Sequence, residues 1–152
     1  MQLAPGDARL AQVLDLIRDS FAYMDGRIDP PSSMHRLSLE ALSAQAAEAE
    51  VWALGDPVSA CVVLTVKDGW LYLGKLAVSA DRRGQGLARR MVDLAETRVQ
   101  ALGLAGLELQ VRVELVENQA AFARLGFAEV GRTAHAGYDR ATSITMRRGA
   151  QG

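Results

Sequence analysis

Cysteine is almost missing from this chain. Cys61 is the only one in 152 residues, so an intrachain disulfide is excluded. Histidine is nearly as scarce: His35 and His135 lie far apart, and two histidines with one cysteine make no metal set. Charge of one sign is also lacking, and a net −1 gives no bulk attraction to nucleic acid or to an anionic membrane. No apolar run reaches the length of a membrane span, and the first residues carry no secretory pattern. Repeats, linkers and low-complexity tracts are absent. The expectation is one cytoplasmic domain over residues 1–150, with 49% apolar residues to fill a continuous core.

What is present is a regular alternation of strand and helix patterns. A short strand is expected from Gln2 to Pro5, then a helix from Asp7 to Phe21 whose Leu10, Val13, Leu14 and Ile17 share one face. The segment from Asp25 to Ser33 holds Pro30 and Pro31 and breaks regularity. Ser38 is placed to cap a second helix running to Ala49. Strand patterns over Val51–Leu54, Val58–Val66 and Trp70–Val78 are separated by Gly-Asp-Pro and Lys-Asp-Gly turns, which predicts an antiparallel meander. Leu87 to Leu102 reads as an amphipathic helix ended by Gly103. Leu107 to Leu115 alternates as a strand, Asn118 to Leu125 as a short helix that Asn118 caps and Gly126 closes. Strands over Ala128–Thr133 and Thr142–Arg148 complete a mixed sheet.

The turn between Trp70–Val78 and the long helix carries the chemistry. Ala77-Val78-Ser79-Ala80-Asp81-Arg82-Arg83-Gly84-Gln85-Gly86 places glycines at a helix mouth, where the first amide donors have no partner inside the helix. Those donors and the positive helix end favour phosphate, and Arg82 and Arg83 add charge. A Walker loop is excluded because Gly-x-x-x-x-Gly-Lys-Ser/Thr occurs nowhere, and a dinucleotide fingerprint because Arg89 stands where its third glycine should be. From these residues alone, a phosphate cradle and a plain strand–turn–helix joint are equally good readings.

Leu76-Ala77-Val78, then Arg83-Gly84-Gln85-Gly86-Leu87-Ala88, then Asn118 and Gly126-Phe127 resemble the GNAT family of N-acetyltransferases. The resemblance covers about Trp70 to Val130. It implies an α/β (α+β) fold: a mixed, mainly antiparallel sheet of about seven strands with about four helices, the fourth and fifth strands splayed to admit acetyl-CoA. It also implies that Arg83, Gly84, Gln85, Gly86, Leu87 and Ala88 hold the pyrophosphate of coenzyme A. Main-chain groups of Leu76, Ala77 and Val78 would hold the pantetheine arm and the acyl carbonyl, and Asn118 and Phe122 would line the same site. Asp81 stands where the family signature has a glutamine or arginine. Phe122 stands where many members have a tyrosine able to protonate the leaving thiolate.

Aminolysis of a thioester needs a neutral amine, hence a base, and a fixed donor for the charge developing on the carbonyl oxygen. Tyr72 occupies the position of a glutamate base found in some branches; it reads as a group orienting water or acceptor, or as a cross-strand aromatic. Glu114 and Glu117 are candidate bases through water, or solvated carboxylates. Tyr138, in the loop His135-Ala136-Gly137-Tyr138-Asp139, is the candidate substitute acid. Cys61, amid Ala60, Val62 and Val63, reads as a buried apolar thiol rather than an acyl carrier. Asp25, Arg27, Asp29 and His35 sit in the segment that walls the acceptor pocket in this family. Together these residues predict an acetyl-CoA-dependent N-acetyltransferase acting directly on a small-molecule or peptide amine, with no metal. A non-catalytic acyl-CoA-binding module is the alternative. A homodimer is a family-level expectation.

Overall fold

The computed structural model describes residues 1–22, 24 and 26–151, with His35 by its backbone only. Asp25 and the His35 side chain, named above as pocket-wall candidates, lie outside the described residues. Among those described, the chain runs β1 (Gln2–Leu3), α1 (Leu10–Ala22), α2 (Leu39–Glu48), β2 (Glu50–Leu54), β3 (Ala60–Lys67), β4 (Trp70–Val78), α3 (Leu87–Leu102), β5 (Gly106–Arg112), α4 (Val116–Arg124), β6 (Ala128–Thr133) and β7 (Ser143–Gly149). The strands form one sheet in the order β1-β2-β3-β4-β5-β7-β6. Every neighbouring pair is antiparallel except β4 with β5. That one parallel pair needs a crossover, and α3 supplies it.

The sheet is covered on both faces at β3 because that strand is apolar on both. Ala60, Val62 and Leu64 of β3 join the core under α3, with Met91, Ala95 and Val99. The alternate residues Cys61 and Val63 join the core under α1 and α2, with Leu10, Val13, Ile17 and Leu42. Period two on the strand thus meets period 3.6 on the helices. Each such leucine, isoleucine or valine contributes about 1.5–3 kcal/mol by leaving water. Gly106 opens β5 where no larger residue fits, since a Cβ there would stand 2.2 Å from the Arg148 carbonyl oxygen.

The meander, the long helix and the Ser38 cap stand as read: Ser38 Oγ accepts from Ala41 N at 3.1 Å, and Gly103 closes α3 with φ +68°. Several boundaries do not. α1 starts at Leu10 rather than Asp7, because the Asp7 carboxylate accepts from Arg9 N at 2.9 Å and makes a separate turn. β3 starts at Ala60 rather than Val58, since Ser59 N closes a turn on Leu54 O at 2.8 Å. β5 ends at Arg112 although apolar alternation continues to Leu115, because Leu115 N turns back to Arg112 O at 3.1 Å. α4 consequently starts at Val116, and Leu115, not Asn118, is its cap residue. Asn118 lies inside the first turn and cannot cap the helix.

Candidate active site

The site begins with a break in β4. Cys61 faces Ala77 across the ladder, but Val63 faces Gly74, so two residues of β3 span three of β4. The extra residue is accommodated at Lys75, which takes a left-handed φ of +53°. A lysine pays for that conformation in local strain, and such bulges re-aim the strand beyond them. The carbonyl of Lys75 is held by the Cys61 thiol at 3.6 Å. On its other side β4 pairs with β5 only at Leu71 and Tyr72. From Leu73 to Val78 that edge faces no strand, and the two strands diverge around a cleft of about 820 Å³. Leu76, Ala77 and Val78 all line it.

The glycine turn closes one end of the cleft. A 3-10 turn over Ala80–Arg82 leads to Gly84 (φ +80°) and Gly86 (φ +77°), the residue before α3. No side chain caps α3, so its first amides point outward. A Cβ built on Gly84 or Gly86 meets no protein atom within 4 Å, which leaves the space above the helix mouth open to a ligand. Arg83 and Ala88 line the cleft, whereas Gly84, Gln85 and Gly86 form its exposed rim and Leu87 turns into the core. Asp81, in the slot of the signature's basic residue, takes a hydrogen bond from the Ser79 hydroxyl, which holds its carboxyl below the usual range. Open amides, two left-handed glycines and an arginine suit a pyrophosphate.

The other wall is the segment between α1 and α2. Arg27 and Ile28 line the cleft. Arg112, at the end of β5, donates to Pro30 O at 2.7 Å and Pro31 O at 3.3 Å. Arg27 pairs with Glu117 at 2.5 Å, and Glu114 Oε2 accepts from Asp29 N at 3.1 Å. Tyr138 donates to Asp29 Oδ1 at 2.5 Å.

These bonds separate the candidates. Tyr72 lines the cleft, opposite Thr65 on β3 and Glu108 on β5, with Lys67 Nζ 5.3 Å from its ring centre. Burial first, and the Glu108 carboxylate second, push its phenol up, so it keeps its proton. Glu114 and Tyr138 are brought together, but at Asp29 rather than in the cleft. The bond to Asp29 holds the Tyr138 phenol above its usual value. Glu117 lines the cleft; its own amide and then Arg27 hold its carboxyl low. Asn118 and Phe122 line it too, Phe122 edge-on to Phe127 with ring centres 5.8 Å apart. Burial pushes the Cys61 thiol up to about 12.

Lys75 and Arg112 are the charged cleft residues that the sequence reading does not place at the site, and His135 is read there only as part of a loop able to fold over the acceptor. Lys75 was unreadable, since lysine gives no signal for a left-handed bulge. Arg112 reads as an ordinary outward strand residue. His135 lines the cleft: its main-chain N donates to Thr142 Oγ1 at 2.9 Å and its Nδ1 contacts the same oxygen. Its presence in a glycine-containing loop was visible, its partner was not.

Comparison with known proteins accords with this geometry. The family model for the acetyltransferase (GNAT) family matches residues 10–127. No curated sequence relative matches the chain. Among solved structures, the PaiA N-acetyltransferase from Thermoplasma acidophilum in complex with coenzyme A is 14% identical, with TM-score 0.80 over 98% of this chain and 96% of that one. A GNAT-family acetyltransferase from Staphylococcus aureus Mu50 is 13% identical, with TM-score 0.74 over 99% of each chain. The ribosomal-protein-S18-alanine N-acetyltransferase from Escherichia coli is 20% identical, with TM-score 0.68 over 100% of this chain and 93% of that one. At these identities the likeness is one of fold.

Proposed function

The chain belongs to the acetyltransferase (GNAT) family and is an acyltransferase using acetyl-CoA, and from that premise we propose direct transfer of the acetyl group to an amine bound in the same cleft. Acetyl-CoA supplies an activated acyl group and a thiolate leaving group. The observation that carries the proposal is continuity. One cleft is lined by Arg83 beside the helix mouth, by the unpaired edge of β4, and by Tyr72, Arg112 and His135. Donor and acceptor can therefore meet without a carrier residue, and holding them together lowers the entropic cost of the encounter.

The chain's own residues divide the work. Gly84, Gln85, Gly86, Leu87 and Ala88 offer backbone amides, with Arg83 beside them, to the pyrophosphate. The edge of β4 from Leu76 to Val78 offers main-chain groups to the pantetheine arm in the manner of an added strand, and an amide for the carbonyl oxygen. Asn118 and Phe122 form the opposite wall. Tyr72, which keeps its proton, orients water or acceptor rather than acting as base. Glu114 and Tyr138 act at one remove, by holding the acceptor wall through Asp29. Cys61 has no part as an acyl carrier, being fully buried with its thiol raised.

The test is a two-substrate kinetic study with acetyl-CoA and a panel of primary amines, reading thiol release. Intersecting double-reciprocal lines support a ternary complex. Parallel lines, or a covalent acetyl-enzyme caught by mass spectrometry, would sink direct transfer.

A further inference from the structure

Direct transfer needs a group that removes a proton from the acceptor ammonium. Among the described residues lining the cleft, four side chains can change charge without losing a guanidinium: Tyr72, Lys75, Glu117 and His135. Tyr72 holds its proton and cannot accept one. Glu117 is a poor base, because it faces the Arg27 guanidinium at 2.5 Å. Lys75 carries a proton of its own that it must lose first. An imidazole is the side chain that gains and loses a proton near neutrality.

Thr142 is the neighbour that bears on which His135 nitrogen is available. Thr142 is fully buried, and its Oγ1 accepts from the His135 main-chain N–H at 2.9 Å. Its single hydroxyl proton reaches Thr133 O at 3.4 Å. Nδ1 contacts Thr142 Oγ1, and in the tautomer that donates Nδ1–H to Oγ1 the Nε2 of this cleft-lining residue carries no proton. A base held by an orienting neighbour is the arrangement that proton transfer at a reacting centre requires.

Building on the direct-transfer reading, we propose that His135 is the general base of this acetyltransferase and that Thr142 is the positioning residue that keeps its Nε2 unprotonated. Nε2 takes one proton from the acceptor ammonium, directly or through one water. The amine nitrogen then bonds to the acyl carbon as the carbon–sulfur bond breaks. The second amine proton ends on the departing sulfur, and the imidazolium returns the first to solvent. The charged and titratable groups that line the same cleft as His135 are Arg27, Tyr72, Lys75, Arg83, Arg112 and Glu117, and Tyr138, Asp139 and Arg140 lie on its own loop.

Two measurements on the full chain test this. Long-range proton–nitrogen NMR reads the ring tautomer at neutral pH, and His135→Gln assigns the signal, since His35 is the only other histidine. The Nδ1–H form is expected; an Nε2–H ring overturns the proposal. Turnover is followed against pH with acetyl-CoA and a diamine, an amino-acid amide or a free-N-terminus peptide as acceptor. His135→Gln is expected to lower kcat at pH 7 by about 100-fold or more, with acetyl-CoA affinity retained and the deficit shrinking as pH rises. Thr142→Val should reproduce part of that loss and shift the acidic limb of the profile, and Thr142→Ser should restore both. If His135→Gln does not fold, His135→Ala and His135→Asn take its place. Active wild type with an unchanged variant profile overturns the role of His135 alone. Wild type that binds acetyl-CoA yet acetylates none of the three acceptors overturns the direct-transfer reading, and this role with it.

Discussion

The Tyr138 hydroxyl donates to Asp29 Oδ1 at 2.5 Å, and through that bond the connection between β6 and β7 holds the segment between α1 and α2. Glu114 reaches the same residue from the end of β5, through the Asp29 main-chain N. Two side chains that read as chemistry in the sequence thus meet at a fastening point on the wall of the cleft.

Tyr138→Phe is accordingly expected to raise the KM for the acceptor several-fold while leaving kcat within about 3-fold, since an acceptor wall acts mainly on binding. Steady-state kinetics at saturating acetyl-CoA reads both. A kcat fall of about 100-fold at unchanged KM would instead make the phenol a proton donor.

Gly86→Val should abolish measurable acetyl-CoA binding in a calorimetric titration. The φ of +77° costs an L-residue about 1–2 kcal/mol, and the branched side chain enters the open space above the helix mouth. A folded variant that binds normally would remove the glycine turn from the site.

Cys61→Ala should keep turnover within about 2-fold and lose about 1 kcal/mol of stability from its buried position. Thermal melts and thiol-release assays read the two separately. Loss of turnover in a folded variant would argue for an acyl-cysteine.

Stability should respond to acid through Glu50. Burial raises its carboxyl, but hydrogen bonds from Arg98 and Trp52 outweigh burial and leave it below the ordinary value of 4.5. In acid the unfolded chain takes up this proton before the folded one does, so the contribution is present above about pH 4.5 and fades as pH falls below it. Glu50→Gln should therefore melt below wild type at pH 7, with the gap closing toward pH 3. A gap independent of pH would mean the loss is one of packing.

The strand and helix order was legible because periodicity carries it: Leu10, Val13, Leu14 and Ile17 on α1 point where their spacing says. The glycine turn was legible because only glycine suits its backbone. What could not be read is what depends on partners distant in the chain. Glu114 looks like a free carboxylate until Asp29, 85 residues away, is placed against it. His135 looks like a loop residue until Thr142 is seen beneath it. Asn118 looks like a cap because asparagine prefers that role, yet the turn at Leu115 starts α4 earlier.

The bulge at Lys75 inverts the phase of β4. Before it, Leu71 and Leu73 face α3 while Tyr72 and Gly74 take the opposite face; after it, Leu76 and Val78 pack on the α3 side and Ala77 joins the core under α1. A single strand therefore uses even positions for one side in its first half and for the other in its second. Removing one residue at Lys75 would leave Leu76 and Val78 toward α3 and Ala77 toward α1, but it would erase the left-handed bulge that re-aims the edge of the cleft. An insertion of one residue between Lys75 and Leu76 would flip Leu76, Ala77 and Val78 to the wrong faces, and should be far less tolerated than one at the tip of the β3–β4 hairpin, where Asp68 and Gly69 absorb the turn.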